Sequence, residues 1–275
     1  MVTKKEIVEY YEQCDSSYQH WGEEEIYNIH YGFWDEKTRS HSESLHNMNR
    51  VLAEKLRIKP GDKILDTGCG VGASAIWLAK NYNVEVVGVD ISEFHCKKAE
   101  AFAKKAGVSN RVKFYVKDFI TTNFEKESFD IIWALESVCH ASIKKDFVRE
   151  MKRILKNSGR LIIADGFIKR DDLSILDQYL LNNWINNWAI PNLVMISDFY
   201  KYLEETGFKN IEFTNITKNI LPSSREIFKR GVLGWPVYKL RGKNPVQMNH
   251  TKGCIFQYLA LKKGVWTDGI FTAEK

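Results

Sequence analysis

The stretch KILDTGCGVGAS, residues 63–74, decides the fold. A short apolar run feeds straight into a glycine turn, and the turn opens ASAIWLAKNY (73–82), whose apolar positions recur at helical spacing. Gly68 and Gly70 let the backbone turn tightly and approach a ligand, and Gly72 removes another side chain from that surface. Twenty residues beyond Gly70, the next strand-like run, VEVVGVD (84–90), ends on Asp90. That is the spacing at which a carboxylate grips ribose hydroxyls. Cys69 in the turn and Ile91 after the acid complete this first candidate set.

Outward from the turn, RVKFYV (111–116), FDIIWAL (129–135) and RLIIAD (160–165) repeat the strand character. EFHCKKAEAFAKKAG (93–107) and KKDFVREMKRILKNSG (144–159) alternate with them as helices ending near glycine. Such alternation predicts an α/β fold, a mostly parallel sheet with helices on both faces. The flanks differ. Helical character at 3–14 and 43–57 brackets an aromatic stretch at 18–34, and 166–250 carries Trp184, Trp188, Pro191, Pro222, Trp235 and Pro236. DFYKYLEETGF (198–208) predicts a further helix, NIEFTNI (210–216) a strand, and CIFQYLALKKG (254–264) a last strand forming an antiparallel edge hairpin with it. The expected organisation is a helical lid at 1–58, a ligand-binding domain at 59–168, a cap with late strands at 169–250, and a last strand and tail at 251–275. KLRGKNPVQMNH (239–250) has no assignment.

Composition narrows the class. The 275 residues hold 40 Lys+Arg against 35 Asp+Glu, a net charge of +5, and the lysines mostly sit beside acids as on solvated helix faces. No concentrated basic stripe points to nucleic acid as a partner. Five scattered cysteines, none in a C-x-x-C pair, predict neither a metal site nor a redox pair. With no signal-like start and no run near the roughly 18 apolar residues of a membrane span, a cytoplasmic setting is expected. Aromatics at 13%, including eight tryptophans, suit a core or a small-molecule pocket. Monomer and homodimer both remain open.

Gly68-x-Gly70-x-x-Ala73 also fits a dinucleotide fold, and an NAD(P)-dependent oxidoreductase is one alternative. Asp66 argues against it, because a carboxylate at the mouth of the loop repels a pyrophosphate. It suits a ligand carrying an ammonium and a sulfonium, as S-adenosylmethionine does. Asp118 and Phe119, after the third strand, are placed to bond an adenine amino group and cover the ring.

On these residues the chain resembles the class I S-adenosylmethionine-dependent methyltransferases. LDTGCGVG is similar to the family's first motif, VGVDIS to its second, the KDF around Asp118 to its third, and LKNSGRLIIAD to the motif leading into the fifth strand. The resemblance is strong over 60–165 and looser outside. It implies a Rossmann-like seven-stranded sheet with an antiparallel last strand.

Transfer of a methyl from sulfonium is an in-line displacement that gains from exclusion of water and alignment of the nucleophile. In LESVCHA, Glu136 and His140 stand four apart after the fourth strand, on one face if helical, where ligands of open α/β sheets bind. The stretch resembles a small-molecule subgroup acting on tocopherol precursors, sterols, alkaloids and natural products. His140 is the candidate base or orienting donor, or a packed loop histidine. Glu136 is a candidate on both the catalytic and cofactor sides, or a helix cap. Asp165 is expected to pair with His140, or to cap a loop; in sugar-modifying members a His and an Asp hold these positions. YNIHYGFWDE (27–36) resembles the His-x-Gly-aromatic element near the cofactor lid, nominating Tyr31 for the cofactor and His30 and Trp34 for the acceptor, with Tyr11 and Trp21 as further lid residues. Leu176, Leu180, Trp184 and Trp188 recur every fourth residue, as a core stripe or as the wall of an apolar acceptor pocket. The expected function is methyl transfer to O, N or C of a small lipophilic or aromatic metabolite, with action on protein or RNA as the other alternative.

Overall fold

The glycine-turn strand β1 (Lys63–Thr67) lies at the centre of a seven-stranded sheet in a computed structural model, which describes residues 2–19, 27–240 and 244–275. The other strands are β2 (Glu85–Asp90), β3 (Val112–Val116), β4 (Phe129–Leu135), β5 (Leu155–Ile168), β6 (Lys209–Asn215) and β7 (Trp266–Glu274). Their spatial order is β3-β2-β1-β4-β5-β7-β6. The pairs from β3 through β5 are parallel, and β7 runs antiparallel to both β5 and β6. The order reverses beside β1, between β1 and β4, and ligands of such sheets bind at that switch point.

Alternation along the central strands builds two cores. Ile64, Ile131, Trp133 and Ile162 point to one face, and Leu65, Ile132, Ala134 and Ile163 to the other. Strands buried on both faces read as continuous apolar runs for this reason. α2 (His41–Leu56), α3 (Ala73–Asn81) and α4 (Glu93–Lys105) cover the first face. α5 (Lys144–Ile154) and α7 (Ile196–Glu205) cover the second through Phe147, Met151, Phe199 and Leu203. α1 (Lys4–Tyr18), α6 (Ile175–Asn187) and α8 (Thr217–Leu240) each pack against α9 (Pro245–Lys262). α1 starts on a capping box, in which the Thr3 and Glu6 side chains each accept from the other's backbone N–H.

Three expectations are corrected. CIFQYLALKKG is helical, the end of α9, because its buried residues Cys254, Gln257 and Leu261 follow helical spacing. Asn244 caps that helix by accepting from the Val246 amide, and Pro245 opens it, which gives most of the unassigned 239–250 stretch a structure. The last strand is instead β7, entered through Gly264 at φ +69°. It still makes an antiparallel pair with β6, although it lies inside the sheet, between β5 and β6. The helix expected over 144–159 ends at Ile154, because Leu155 already pairs with Phe129 and starts β5.

Candidate active site

Two cavities open beyond the carboxyl ends of the central strands. The first, about 100 Å³, is lined by Asp66, Gly68, Cys69, Gly70, Asp90, Ile91 and Phe119 from the sheet, and by Ile7 and Tyr11 from α1. The second, about 560 Å³, is walled by Tyr18, Tyr31, Trp184, Trp188, Ile190 and Trp266, with Asp165, Asp268, Arg230 and His250 among its polar groups. Tyr11, Ile29, His30, Glu136 and His140 line both and form the partition between them.

The glycine loop forms much of the first cavity. Gly70 has φ +52°, and a Cβ there would meet only Ile29 Cδ1, at 3.7 Å. Its backbone is therefore open on the cavity side. Its N–H donates to Asp90 Oδ2 at 2.9 Å, while Asp90 Oδ1 accepts from Ser92 N at 2.8 Å, so the loop itself orients that carboxylate. Gly72 does a different job from the one expected. It lies outside the cavity lining, and a Cβ there would stand 2.6 Å from the Phe114 ring and 2.9 Å from Ala99, so it lets α3 pack.

Asp66 is buried, and its Oδ2 has no hydrogen-bond partner. Burial and the nearby Asp90 carboxylate push it up to about 7, against partial opposition from the Ala75 amide. A buried carboxylate with one oxygen left without a partner among the described residues, beside the glycine loop, fits a cationic ligand such as S-adenosylmethionine. Asp118 is not brought to the cavity. Its Oδ1 accepts from Ile120 N, and the carboxylate is ion-paired to Lys4 of α1, while the neighbouring Phe119 does face inward.

Titratable side chains gather at the partition. Glu136 and His140 do not share a helix face: Glu136 has φ +50°, and His140 closes a 3-10 turn, Val138–His140. Both nevertheless reach the partition. Glu136 Oε1 accepts from Tyr31 N at 2.6 Å. Burial, followed by the Asp268 and Asp165 carboxylates, holds Glu136 well above the usual carboxylate range. His140 Nδ1 stands 3.3 Å from the Ala189 carbonyl, which can only accept. The Nδ1 therefore carries the proton, and Nε2 accepts from Tyr11 O–H at 2.7 Å. Burial, then Lys144, pushes His140 down to about 4, so it is neutral at physiological pH.

The expected Asp165–His140 pair is absent. Asp165 accepts instead from Cys139 N at 2.9 Å and Gly166 N at 2.8 Å, fixing the turn that carries His140. Tyr31 lies on the side of the larger cavity, its hydroxyl donating to Gln257 Oε1 at 2.9 Å, and not against the first cavity. His30 lines both. Trp34 lines neither: it donates to Ser223 Oγ at 3.0 Å on α8, because Gly32, with Ser44 where its Cβ would be, presses the chain between α2 and α8. In the α6 stripe Leu176 is exposed, Leu180 belongs to the core, and Trp184 and Trp188 reach the larger cavity. Trp21 lies outside the described residues.

Tyr11, expected only as a lid residue, bonds His140 from 129 residues away. Two contributors escaped the sequence reading. Buried Lys144 donates to the carbonyls of Cys139, Ala141 and Asn192, pinning the same turn. Asp268 is a carboxylate in the middle of an apolar strand, and that position was its only signal.

A methyltransferase domain family matches residues 58–207. The 27-O-demethylrifamycin SV methyltransferase of Amycolatopsis mediterranei is 37% identical over 205 residues, 74% of each chain. The chloroplastic tocopherol O-methyltransferase of Arabidopsis thaliana is 27% identical over 99% of this chain and 82% of its own. Among solved structures, the [4+2]-cyclase SpnF superposes with a TM-score of 0.84 at 20% identity, over 99% of this chain and 96% of that one, a likeness of fold. These matches overturn the oxidoreductase alternative. Among the described residues no helix is long and apolar enough to cross a membrane. The strand order, the loop built for a cation and the family match agree: the chain belongs to the S-adenosylmethionine-dependent methyltransferases of the class I fold.

Proposed function

We propose that the protein methylates a hydroxyl oxygen of a small, lipophilic or aromatic metabolite. The observation that carries this reading is the shared partition: a cavity built for the cofactor and a larger aromatic one meet at Tyr11, Glu136 and His140. About 560 Å³ is the size of a cavity for a metabolite rather than for a polymer segment. The similarity to the 27-O-demethylrifamycin SV and tocopherol O-methyltransferases supports the choice of oxygen.

Asp66, Gly68, Cys69, Gly70, Asp90, Ile91 and Phe119 would hold the cofactor, which supplies an electrophilic methyl group when bound. Tyr11 and His140 handle the proton. Burial holds the Tyr11 phenol well above its ordinary value, so it remains protonated and works only as a relay. Its proton passes to His140 Nε2 as its oxygen takes the proton of the acceptor hydroxyl. Asp165 and Lys144 position the turn, and Trp184, Trp188 and the other rings exclude water from the reacting centre. The five cysteines, all free and four of them buried, support a reducing, cytoplasmic compartment.

A transfer assay with cofactor labelled in its methyl group, run against pooled metabolites, protein and RNA, tests the proposal. Label in a small molecule, on oxygen by mass spectrometry, is expected. Label confined to protein or RNA defeats it.

A further inference from the structure

Asp268 is unlike the other carboxylates of the larger cavity. It is 1% exposed, faces that cavity, and neither side-chain oxygen has a hydrogen-bond partner. The Gly269 amide is near enough to oppose its raised pKa but closes no hydrogen bond. Leaving a buried acceptor unsatisfied is costly unless a ligand completes it.

A second group on the wall of the same cavity, without a partner among the described residues, is a donor. Trp184 Nε1 is buried without a partner on the wall of the same cavity. Its ring packs on Trp266 at a tilt of 35° with centroids 4.3 Å apart and lies over Gly166, where a Cβ would be 3.5 Å from Trp184 Cη2. Gly166 is the residue paired with Asp268 across β5 and β7. A lone donor and a lone acceptor thus belong to residues that meet at Gly166 on the cavity wall, near enough to Glu136 for the Asp268 carboxylate to push its carboxyl up.

An apolar group at that spot would leave both unsatisfied. An ammonium would satisfy Asp268 but has nothing to offer the indole N–H. A hydroxyl both donates and accepts, so it satisfies the two together. Resting on the assignment of the larger cavity to the acceptor, we infer that Asp268 and Trp184 form a subsite for a hydroxylated head group, a sugar or polyol, on an otherwise apolar acceptor. Glu136 and Asp165, which border the same region, extend the acceptor-rich surface that such a group needs. Selection for hydroxyl at a built site is strong, because analogues lacking it strand the buried partners.

Calorimetry on the full chain saturated with S-adenosylhomocysteine tests this with phenyl β-D-glucoside, phenethylamine and ethylbenzene as probes. The glucoside is expected to bind at least about tenfold more tightly than either of the others. Asp268→Asn and Trp184→Phe should each weaken the glucoside about five- to tenfold and leave S-adenosylhomocysteine affinity unchanged. The two substitutions sit on different elements, so misfolding of one leaves the other to decide. Tighter or equal binding of phenethylamine or ethylbenzene, no binding of the glucoside, or full glucoside affinity in a folded variant overturns the inference. Failure of the wild type to bind S-adenosylhomocysteine overturns the assignment of the cavities itself, and so is distinguishable.

Discussion

The two cavities differ in how the chain builds them. The smaller draws its sheet-side wall from consecutive strand ends, with Asp66, Gly68, Gly70, Asp90 and Ile91 all within 26 residues. The larger is assembled from α1, the 3-10 turn, β5, α6, α8, α9 and β7, with Tyr11 and Asp268 257 residues apart. A ligand common to a whole family can be held by one local loop. An acceptor that differs between members is gripped by parts that can change one at a time.

The sharpest way to break that contrast is the partition, where the two regions meet. His140→Ala should lower kcat by about 10²–10⁴-fold, and Tyr11→Phe by less, with S-adenosylhomocysteine affinity near wild type in both. Turnover that survives across pH would reduce the pair to a structural contact.

Asp66→Asn comes next and belongs to the cofactor side alone. Cofactor affinity should fall roughly 10–100-fold, the range for charge-assisted hydrogen bonds, without loss of thermal stability. The wild type should also bind the cofactor more tightly as pH rises from 6 to 8. A carboxyl pushed up to about 7 ionises in that window, and only its ionised form attracts a cation. Calorimetry at several pH values reads the slope, which Asp66→Asn should abolish; a slope that persists there would assign the titration elsewhere.

Gly253→Ala probes the acceptor side in the same spirit. A Cβ at this position would lie 2.2 Å from Trp188 Cδ1, so the indole must shift within the larger cavity. The acceptor KM should rise about three- to tenfold with cofactor affinity unchanged, as overpacking reshapes the wall. Equal damage to both ligands would mean that the cavities are not independent.

The smallest effect is expected from Lys4→Ala. Its ion pair with Asp118 involves a lysine side chain 67% exposed, so the Tm should move by no more than about 2 °C. Cofactor binding should tighten slightly as Asp118 is released. Weaker binding would show that the pair helps to hold the site.

The same contrast explains what could be read from the sequence. Asp66, the glycines and Asp90 announce themselves because strand, turn and helix are local and their spacing is set by backbone geometry. Gly72 was misjudged because a glycine needed for packing against Phe114 and one needed for a ligand look alike in sequence. Trp34 and Tyr31 share one short segment, yet a neighbour from another part of the chain, Ser223 or Gln257, decides where each points. CIFQYLALKKG reads as a strand in sequence and folds as a helix, because a short apolar run carries little periodicity to distinguish the two. The Tyr11–His140 contact and the Asp268–Trp184 juxtaposition are products of tertiary assembly, and no local pattern encodes them.

Helix α1 ties the two cavities together. It lines the smaller cavity with Ile7 and Tyr11, covers Asp118 with Lys4, meets His250 of the larger cavity through Tyr10 at 2.7 Å, and holds Ser92 through Glu12 at 2.9 Å. Because Tyr11 lines both spaces, any shift of this one helix reshapes the walls of the two cavities together.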